Sequence, residues 1–412
     1  IEGGTYTLAA NLIFTASDNG EMWIAGFGDT SIIDGASTYQ MTAIGVTGLT
    51  IEGMIFKHLN PSATNSNAGF SVGYNGGSFS AVTGLVFRWN AIDFAGVTSG
   101  KGQLMEAPNL HSSLIDSNTF ENQLFPVASK SGQGGAIELW DGASGNTFSH
   151  NLCSNLYGYC VQIVSSSGAL CNNNSVDRNI AKNTNQQSID MGAFYIYDVS
   201  NSPNPGSAVG NSFNNNEVFG NQSSNGANPG VSAYYLDTYA NNVTLIGNVC
   251  NKCGDWALHL NSLSNATIKN NIFDISTLTP NAGAYVAFLS MSTANSGSSF
   301  TNNIIYNGRA WAHFGSVPSL WWLLGRGVVP PATIDNNLYY SPSGSAPKPS
   351  GIVGGGGPAN VNDTNPHNAN PLFVNPSANN YALSANSPAY SDIAWSALPT
   401  DQGPVDSPFV NN

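Results

Sequence analysis

The chain has 412 residues, only 8% of them charged, and its net charge of −13 reflects 24 acidic residues against 11 Lys and Arg. This acidic balance argues against nucleic acid and anionic membrane surfaces as partners, and mildly against a strongly polyanionic substrate. Hydrophobic residues make up 41% and aromatic residues 10%, which is enough for a core and excludes a disordered chain. No apolar run approaches the ~20 residues of a membrane-spanning helix, so we expect no insertion into a membrane.

The polar residues of the chain are mostly uncharged. Gly accounts for 45 residues, and Asn and Ser are abundant, a composition typical of secreted β-proteins. The sequence opens abruptly at Ile1 inside strand-like sequence, which indicates processing or trimming of a longer chain. We therefore expect a secreted or cell-surface protein.

The first strand-like segments are 4–8, Gly-Thr-Tyr-Thr-Leu, and 32–35, Ile-Ile-Asp-Gly, which we interpret as the opening coils of a repeat. The repeat becomes regular from Asn90 onward, where an asparagine stands ahead of a short apolar run at intervals of about 23 to 37 residues. Such irregular intervals are expected where the coils of one repeat carry loops of different length. In the earlier segment 50–56, Gly53 takes the place of this asparagine.

Asparagines in one phase indicate a ladder, because identical turns stacked above one another let each buried amide donate to and accept from its neighbours. The asparagines in this phase are Asn90, Asn118, Asn151, Asn179, Asn216, Asn248, Asn271, Asn303 and Asn337. A ladder requires stacked coils, so the pattern predicts a parallel β-helix. An antiparallel sandwich or a propeller would instead show hairpin dipeptides between adjacent strands and a tighter period.

Each coil in the middle of the chain also contains a short strand of alternating character. These strands cover residues 136–141, 160–165, 193–198, 233–238 and 257–262. Their second and fourth residues are apolar or aromatic and are predicted to point inward, so their third and fifth residues point outward. The outward residues form one column of Glu138, Gln162, Tyr195, Tyr235 and His259, and a second column of Trp140, Val164, Tyr197, Asp237 and Asn261.

The later coils are interrupted by a predicted insertion at 307–331, which carries Trp311, Trp321, Trp322 and two arginines. This insertion could form one wall of a cleft over the outward columns. From about residue 341 the repeat dissolves into Gly- and Pro-rich sequence. We predict a β-helix over residues 1–340 and an irregular C-terminal extension over residues 341–412 that packs on the helix.

The chain contains five cysteines, Cys153, Cys160, Cys171, Cys250 and Cys253, and this odd number leaves at least one unpaired. Cys250 and Cys253 have the CxxC spacing, but zinc would need a second pair close in space. Disulfides or free thiols are therefore favoured over a metal site. We expect Cys160 and Cys171 to pair, because both fall in one predicted coil.

The opening segments, the coils and the tail resemble bacterial secreted right-handed parallel β-helix repeat proteins. The tail motifs are Asn-Pro-Leu-Phe-Val-Asn-Pro at 370–376 and Asn-Ser-Pro-Ala at 386–389. The resemblance implies an all-β fold, a right-handed single-stranded parallel β-helix of the pectate-lyase-like solenoid type. It also implies membership of a carbohydrate-active superfamily of glycoside hydrolases, polysaccharide lyases, epimerases and phage tailspikes.

A narrower segment, Tyr-Tyr-Leu-Asp at 234–237 followed by Trp-Ala-Leu-His-Leu-Asn at 256–261, is similar to the β-xylosidase-type β-helix glycosidases. In that family a Trp-Leu-Asp motif supplies the nucleophile and a carboxylate on the next coil supplies the acid. Asp237 matches the nucleophile. The position that matches the acid is Asn261, an amide that cannot donate a proton as a carboxylic acid does.

Four residues near this motif are candidates for catalysis. Asp237 stands in mid-strand, where aspartate is disfavoured, and faces outward. Asp198 ends the strand one coil below, so its carboxyl is expected about 5–8 Å from that of Asp237, within the range for glycoside hydrolysis. Asp190, in the preceding turn, is a third acid, although either of these two residues could simply cap a turn. His259 lies one rung beyond Asp237 and could contact it or the substrate.

Large outward aromatic side chains are predicted to bind sugar, because exposed rings stack on sugar faces. These residues are Tyr195, Tyr197, Tyr235 and Trp140, and the polar candidates in the same columns are Glu138 and Asn261. Glu138 lies three rungs from Asp237, roughly 14 Å, which is too far for the two carboxyl groups to pair.

The favoured function is a secreted glycoside hydrolase acting on an extracellular or plant polysaccharide of low charge, without metal or cofactor. No GxxxxGK, GxGxxG or HExxH motif is present, so nucleotide cofactors and zincin chemistry have no support. A polysaccharide lyase is the enzymatic alternative, with Tyr235 and His259 as acid and base. A non-catalytic glycan-binding adhesin or structural surface protein is the third possibility, because fold alone does not decide function.

Overall fold

The chain winds into stacked coils that build three long parallel sheets. The computed structural model describes residues 1–26, 30–60, 68–97, 102–124, 134–165, 169–198, 208–221, 230–238, 240–276, 288–290, 297–307, 319–323, 331–341, 348–353, 357–359 and 361–405. Within each coil the chain passes through the first, second and third sheets in turn before it enters the next coil. The predicted fold, a right-handed single-stranded parallel β-helix, is confirmed.

The first sheet has thirteen strands, and the C-terminal extension later crosses its outer face. Its strands are Gly4–Thr7, Ser31–Asp34, Met54–Lys57, Ala91–Asp93, Thr119–Gln123, Leu152–Leu156, Ile180–Lys182, Glu217–Phe219, Val249–Asn251, Ile272–Asp274, Ile304–Tyr306, Leu338–Tyr340 and His367–Asn368.

The second sheet also has thirteen strands and contains its longest members in the middle of the chain. Its strands are Leu12–Phe14, Met41–Ala43, Phe70–Val72, Met105–Pro108, Gly135–Trp140, Tyr159–Ser165, Met191–Asp198, Val231–Leu236, Trp256–Leu260, Phe288–Ser290, Ser319–Leu323, Lys348–Val353 and Gly357–Ala359. All pair in parallel except the last, which returns antiparallel to its neighbour.

The third sheet has eleven strands of three residues each. They are Met22–Ile24, Thr50–Glu52, Val86–Arg88, Leu114–Asp116, Thr147–Ser149, Ser175–Asp177, Ser212–Asn214, Thr244–Ile246, Thr267–Lys269, Ser299–Thr301 and Thr333–Asp335. The middle residue of most is an apolar side chain that points into the core, as strand alternation requires.

Short strand pairs and helices lie outside the three long sheets. Three two-stranded pairings join Tyr74–Asn75 to Ser78–Phe79, Val82–Thr83 to Leu110–His111, and Phe373–Asn375 to Asn380–Leu383. The helices of the described residues are two 3-10 turns, Ala16–Asp18 and Pro376–Ala378, and one α-helix, Pro388–Asp392. None of them is long and apolar enough to cross a membrane.

The turn from the third sheet to the first contains the predicted asparagine ladder, which is confirmed from Asn90 to Asn337. At Asn216, the backbone N–H and the side-chain Nδ2 donate to Oδ1 of Asn248, at 2.9 and 3.2 Å. The same Nδ2 donates to the Val176 carbonyl of the preceding coil, at 2.9 Å. Each rung therefore ties three consecutive coils together.

The ladder turn is two residues long, and its first residue has a left-handed backbone conformation. At Gly53 φ is 73°, and at Trp89, which is in register with it, φ is 55°. Met54, not Gly53, occupies the ladder position of that coil, and its N–H donates to Oδ1 of Asn90 at 3.0 Å. The prediction for Gly53 was therefore wrong by one residue, because this glycine serves the left-handed position that precedes the rung.

The ladder ends at an acid that the sequence analysis missed. Both the N–H and Nδ2 of Asn337 donate to Oδ2 of Asp363, at 3.2 and 2.8 Å. A second, shorter ladder precedes the third sheet and consists of Ser113, Asn146, Asn174 and Asn211. Its signal was present in the sequence, because each of its asparagines stands five residues ahead of a rung of the main ladder.

Cys153 pairs with Cys160, and Cys250 pairs with Cys253. The expected Cys160–Cys171 pair is therefore wrong. Cys153 and Cys160 line the core on consecutive strands across one corner of the coil, with their Cα atoms 5.4 Å apart. Cys171 is a buried free thiol, and desolvation raises its pKa to about 11.

Residues beyond the predicted boundary at 340 still add to the sheets, through Lys348–Val353 and His367–Asn368. The chain then folds back along the outer face of the first sheet. There Tyr381, Ile393 and Trp395 form one buried cluster with sheet residues such as Ile272 and Ile304. The extension thus covers an apolar face of the helix.

Candidate active site on the second sheet

The two outward columns predicted from the sequence are in register on the second sheet. Glu138 pairs with Gln162, and the column continues through Tyr195 and Tyr235 to His259. The same pairing places Asp237 beside Tyr197 on one side and Asn261 on the other. The sheet therefore brings Asp237 together with five of the other predicted residues: Tyr195, Tyr197, Tyr235, His259 and Asn261.

Asp237 is buried, and its carboxylate is held by four donors. Tyr195 donates its hydroxyl to Oδ2 at 2.9 Å. Oδ1 accepts from the backbone N–H and the hydroxyl of Thr238, both at 2.8 Å, and from Nδ2 of Asn261 at 2.7 Å. Such a set of donors suits an ionised carboxylate, which only accepts hydrogen bonds. Asn261, at the position of an acid in the family that the segment resembles, here orients Asp237 instead.

The aromatic side chains of the first column stack on one another. The ring centroids of Tyr195 and Tyr235 are 4.7 Å apart, and those of Tyr235 and His259 are 3.7 Å apart, with nearly parallel planes. These three residues are 2 to 6% exposed, so their faces do not form the open platform for sugar that we expected. The Tyr195 hydroxyl donates to Asp237 instead.

Asp190 stands in the turn that leads into Met191–Asp198, with a left-handed φ of 52°. The Asp190 side chain is exposed to solvent, but neighbouring protein atoms partly desolvate its carboxyl group. This desolvation and the charge of Asp237 raise the pKa of the Asp190 carboxyl. The charges of Asp237 and Asp190 both contribute to the raised pKa of the Tyr235 hydroxyl. Asp237 and Asp190 are thus two acids of one face that are close enough for the charge of one to raise the pKa of the other.

Asp198, the other predicted partner of Asp237, lies on the opposite face of the strand. It is fully buried, and it follows Phe194 and Ile196 in the inward phase, while Tyr195 and Tyr197 point outward. The expected spacing considered the distance between rungs but not this alternation. The structure therefore does not bring Asp198 to the face that holds Asp237.

Desolvation keeps the stacked rings of Tyr235 and His259 uncharged. It lowers the pKa of His259 to about 3, so the imidazole is neutral at any ordinary working pH. Desolvation is the largest cause of the raised pKa of Tyr235, and the charges of Asp237 and Asp190 add to it. The Tyr235 hydroxyl therefore stays protonated. The site thus contains one well-held carboxylate, one acid with a raised pKa and a neutral ring pair.

Glu138 and Trp140 belong to a separate part of the second sheet, two or more rungs from the tyrosines. Trp140 contacts Phe79 and Tyr74, with ring centroids 5.3 and 6.2 Å away. Glu138 accepts a hydrogen bond from Gln103 and is in register with Glu106, a residue that the sequence analysis missed. Desolvation and the charge of Glu106 raise the pKa of Glu138 well above its usual range.

The described cationic side chains lie away from this face. They belong to the first and third sheets or to the turns beside them, and are Lys57, Arg88, Arg178, Lys182, Lys252 and Lys269. Among the described residues there is also no group of three or more His, Cys, Asp or Glu side chains that could hold a metal ion.

The predicted insertion at 307–331 contains a strand of the second sheet, Ser319–Leu323, which pairs with Phe288–Ser290. It therefore continues the repeat there, instead of interrupting it as predicted. Residues 308–318 and 324–330, on which the expected cleft wall depends, lie outside the described residues.

No known protein-family model matches the sequence, and no curated protein is detectably similar to it. Among solved structures, the chain is similar to a PL6 family alginate lyase, with 13% identity over 100% of this chain and 56% of that one and a TM-score of 0.43. It is also similar to an alginate lyase from Paenibacillus sp. str. FPU-7, with 12% identity, coverages of 88% and 97%, and a TM-score of 0.32.

A third similar structure is the GH136 lacto-N-biosidase from Eubacterium ramulus, with 10% identity, coverage of 80% of this chain and 62% of that one, and a TM-score of 0.40. The chain spans less than two thirds of the length of this protein and of the PL6 family lyase.

Proposed function

We propose that this protein is a secreted glycoside hydrolase that acts on a polysaccharide of low charge. The observation that supports the proposal is the presence of two neighbouring acids, Asp237 and Asp190, in different environments on one face. Glycosidases use two carboxyl groups whose environments differ, so that one is ionised and the other is an acid at the same pH. Here four donors fix Asp237, whereas desolvation and the neighbouring charge raise the pKa of Asp190.

In this proposal Asp190 donates a proton to the glycosidic oxygen as the bond to the leaving sugar breaks. Asp237 acts at the anomeric carbon, either as the nucleophile or as the base that takes a proton from water. Tyr195, Thr238 and Asn261 position Asp237, because their hydrogen bonds fix both of its oxygens. Substrate would reach the pair from the side on which Asp190, Tyr197 and Asn261 are accessible to solvent.

The positions of the Lys and Arg side chains favour a substrate of low charge. A polymer of uronic acids carries a carboxylate on each sugar, and the acidic protein would repel it unless cations faced it. The described cationic side chains belong to the other two sheets or to the turns beside them, and Lys348, in the second sheet, begins a strand four strands beyond the one that precedes Asp237. A neutral or weakly charged polysaccharide fits this face better.

A polysaccharide lyase is the second candidate, and one observation favours it. His259 stacks on the ring of Tyr235 beside Asp237, and an imidazole with a phenol could supply a base and an acid for β-elimination, although the low pKa of His259 makes it a weak base. The proposal places hydrolysis first because elimination also requires a group that neutralises the uronate.

The test is a polysaccharide panel assayed for new reducing ends and for the ultraviolet absorbance of unsaturated products. We expect reducing ends without absorbance. In Asp237→Asn, which keeps the shape and removes the charge, turnover should fall by several orders of magnitude while the folded protein remains intact. Absorbance would indicate a lyase, and binding without turnover would indicate an adhesin. Near-normal turnover in Asp237→Asn would refute the assigned site.

A further inference from the structure

One glutamate breaks an aliphatic column on the outer face of the first sheet. The column runs in register through Leu152, Ile180, Val249, Ile272, Ile304 and Leu338. Glu217 occupies this position in the coil between Ile180 and Val249. The neighbouring coils show that an aliphatic side chain fits here, so packing alone does not require an acid.

A cavity of about 380 Å³ lies over Glu217, between the first sheet and the C-terminal extension. Glu217 and Val249 line its sheet side, and Tyr381, Tyr390, Trp395 and Leu398 line its other side. The volume is within the ~300–1,000 Å³ typical of small-molecule sites. Mostly apolar walls with a few polar groups are also typical of such sites.

The Glu217 carboxyl group has no hydrogen bond or ion pair from any described residue, and burial raises its pKa to about 7. A desolvated acceptor without a donor is costly, and a ligand that supplies donors would remove this cost. The walls also contain the amides of Asn380 and Gln402 and the hydroxyl of Thr400. Aromatic rings beside several hydrogen-bonding groups match the two faces of a sugar ring, which are apolar, and its rim of hydroxyls.

We propose that this cavity binds one neutral pyranose unit of a glycan, whose hydroxyls donate to Glu217 and whose ring packs against Trp395 and Tyr390. The cavity is on the first sheet, whereas Asp237 is on the second, so this is a non-catalytic site. Its role is to hold the polysaccharide beside the enzyme, which raises the local concentration of substrate. The choice of a sugar over other hydroxylated ligands rests on the proposed function.

Binding can be tested separately from catalysis in a protein that carries Asp237→Asn. The probes are methyl β-xyloside, methyl β-glucoside and methyl β-galactoside, titrated by calorimetry and by ligand-observed NMR, with glucosamine as a cationic probe. We expect at least one neutral glycoside to bind, and Glu217→Gln to weaken its binding at least tenfold. The matched control is Glu121→Gln, a glutamate of the same sheet outside the cavity, which should bind as before.

In the otherwise unaltered enzyme, Glu217→Gln should raise KM for a long polysaccharide and leave kcat/KM for a short oligosaccharide unchanged. Tyr390→Ala, a change at a side chain that is 39% exposed, gives a second variant that should weaken binding without unfolding the protein.

The inference is overturned if no neutral glycoside binds, or if Glu217→Gln and Glu121→Gln bind equally well. Binding of glucosamine alone would also overturn it, because the ligand would then be an amine. A protein that binds at Glu217 but hydrolyses nothing would refute the proposed function and leave this site standing.

Discussion

At the scale of single residues, the functional face depends on which side chains donate to Asp237. The sequence indicated the outward columns, because strand alternation is a strict rule, and it singled out Asp237 as an outward acid. The predicted mid-strand position of Asp237 was wrong, because the strand ends at Leu236. The sequence did not indicate that Thr238 and Asn261 would hold this carboxylate, because their contacts depend on the end of the strand. The same alternation places Asp198 in the inward phase, and the predicted pairing of Asp198 with Asp237 overlooked it.

The raised pKa of Asp190 leads to a prediction about pH. A general acid must be protonated, so kcat/KM should fall as the pH rises through the pKa of Asp190. In Asp190→Asn this alkaline limb should disappear, and kcat should fall roughly 10²–10⁴-fold, the usual contribution of acid catalysis. The measurement is a pH profile of kcat/KM for both proteins. An unchanged alkaline limb in the variant would assign the acid to another residue.

At the scale of elements, the ladder turn is the best-determined part of the fold. Each rung fills a two-residue turn, and each amide satisfies donors or acceptors in both neighbouring coils. The sequence revealed this turn because asparagine, whose short side chain carries both a donor and an acceptor, recurs at it in coil after coil. It did not reveal the disulfides, because the pairing depends on how corners of a coil place Cys153 and Cys160.

Replacing Asn216 by Leu tests the ladder. The N–H and Nδ2 of Asn179 would lose their acceptor, and Oδ1 of Asn248 would lose a donor. We expect a loss of about 1–3 kcal/mol in the free energy of unfolding, measured by chemical denaturation. The control is Asn386→Leu, at an exposed asparagine of the extension, which should change stability by less than about 0.5 kcal/mol. Equal effects in the two variants would contradict a structural role for the ladder.

The Glu217 carboxyl group makes the stability of the folded protein depend on pH. Its folded-state pKa is raised from 4.5 to about 7, so its protonated form is stabilised in the native protein. This contribution is fully present below pH 4.5 and is lost as the pH rises through about 7. The titratable groups around it are Tyr381 and Tyr390, which line the same cavity, and Tyr234 in the core; the pKa values of Tyr234 and Tyr381 are raised, so both remain neutral there.

Glu217→Gln should therefore remove this pH dependence. Between pH 5 and pH 8 the native enzyme should lose about 2 kcal/mol more stability than the variant does. Thermal unfolding at both pH values, without added sugar, measures the difference. Parallel behaviour of the two proteins would show that the Glu217 carboxyl is not buried as described.

At the scale of the whole molecule, the extension acts as a cover for the first sheet. Its composition predicted an irregular chain, but no sequence feature indicated which of the three sheets it would cover. The apolar column from Val249 to Leu338 supplies the reason in the structure, since these side chains would otherwise be exposed.

Ile393 is fully buried in this contact, so Ile393→Ala should reduce the free energy of unfolding by about 2–4 kcal/mol. Val374→Ala, at a side chain that is 59% exposed, is the matched control and should have little effect. Denaturant titration of both variants tests the docking. A small effect at Ile393 would mean that the helix is stable without this cover.

The ladder also has a direction, and that direction concerns how the chain is made. The N–H and Nδ2 of each rung donate forward, to the Oδ1 that the following coil supplies. The N-terminal coils are synthesised first. In a growing chain, the N–H and Nδ2 groups of the newest rung therefore have no acceptor until the next coil has been made. Asp363 is the last acceptor of this series, because its carboxylate accepts from Asn337 and Tyr339 and it has no side-chain amide to donate to a later coil. The side-chain ladder therefore ends where an aspartate takes the place of an asparagine.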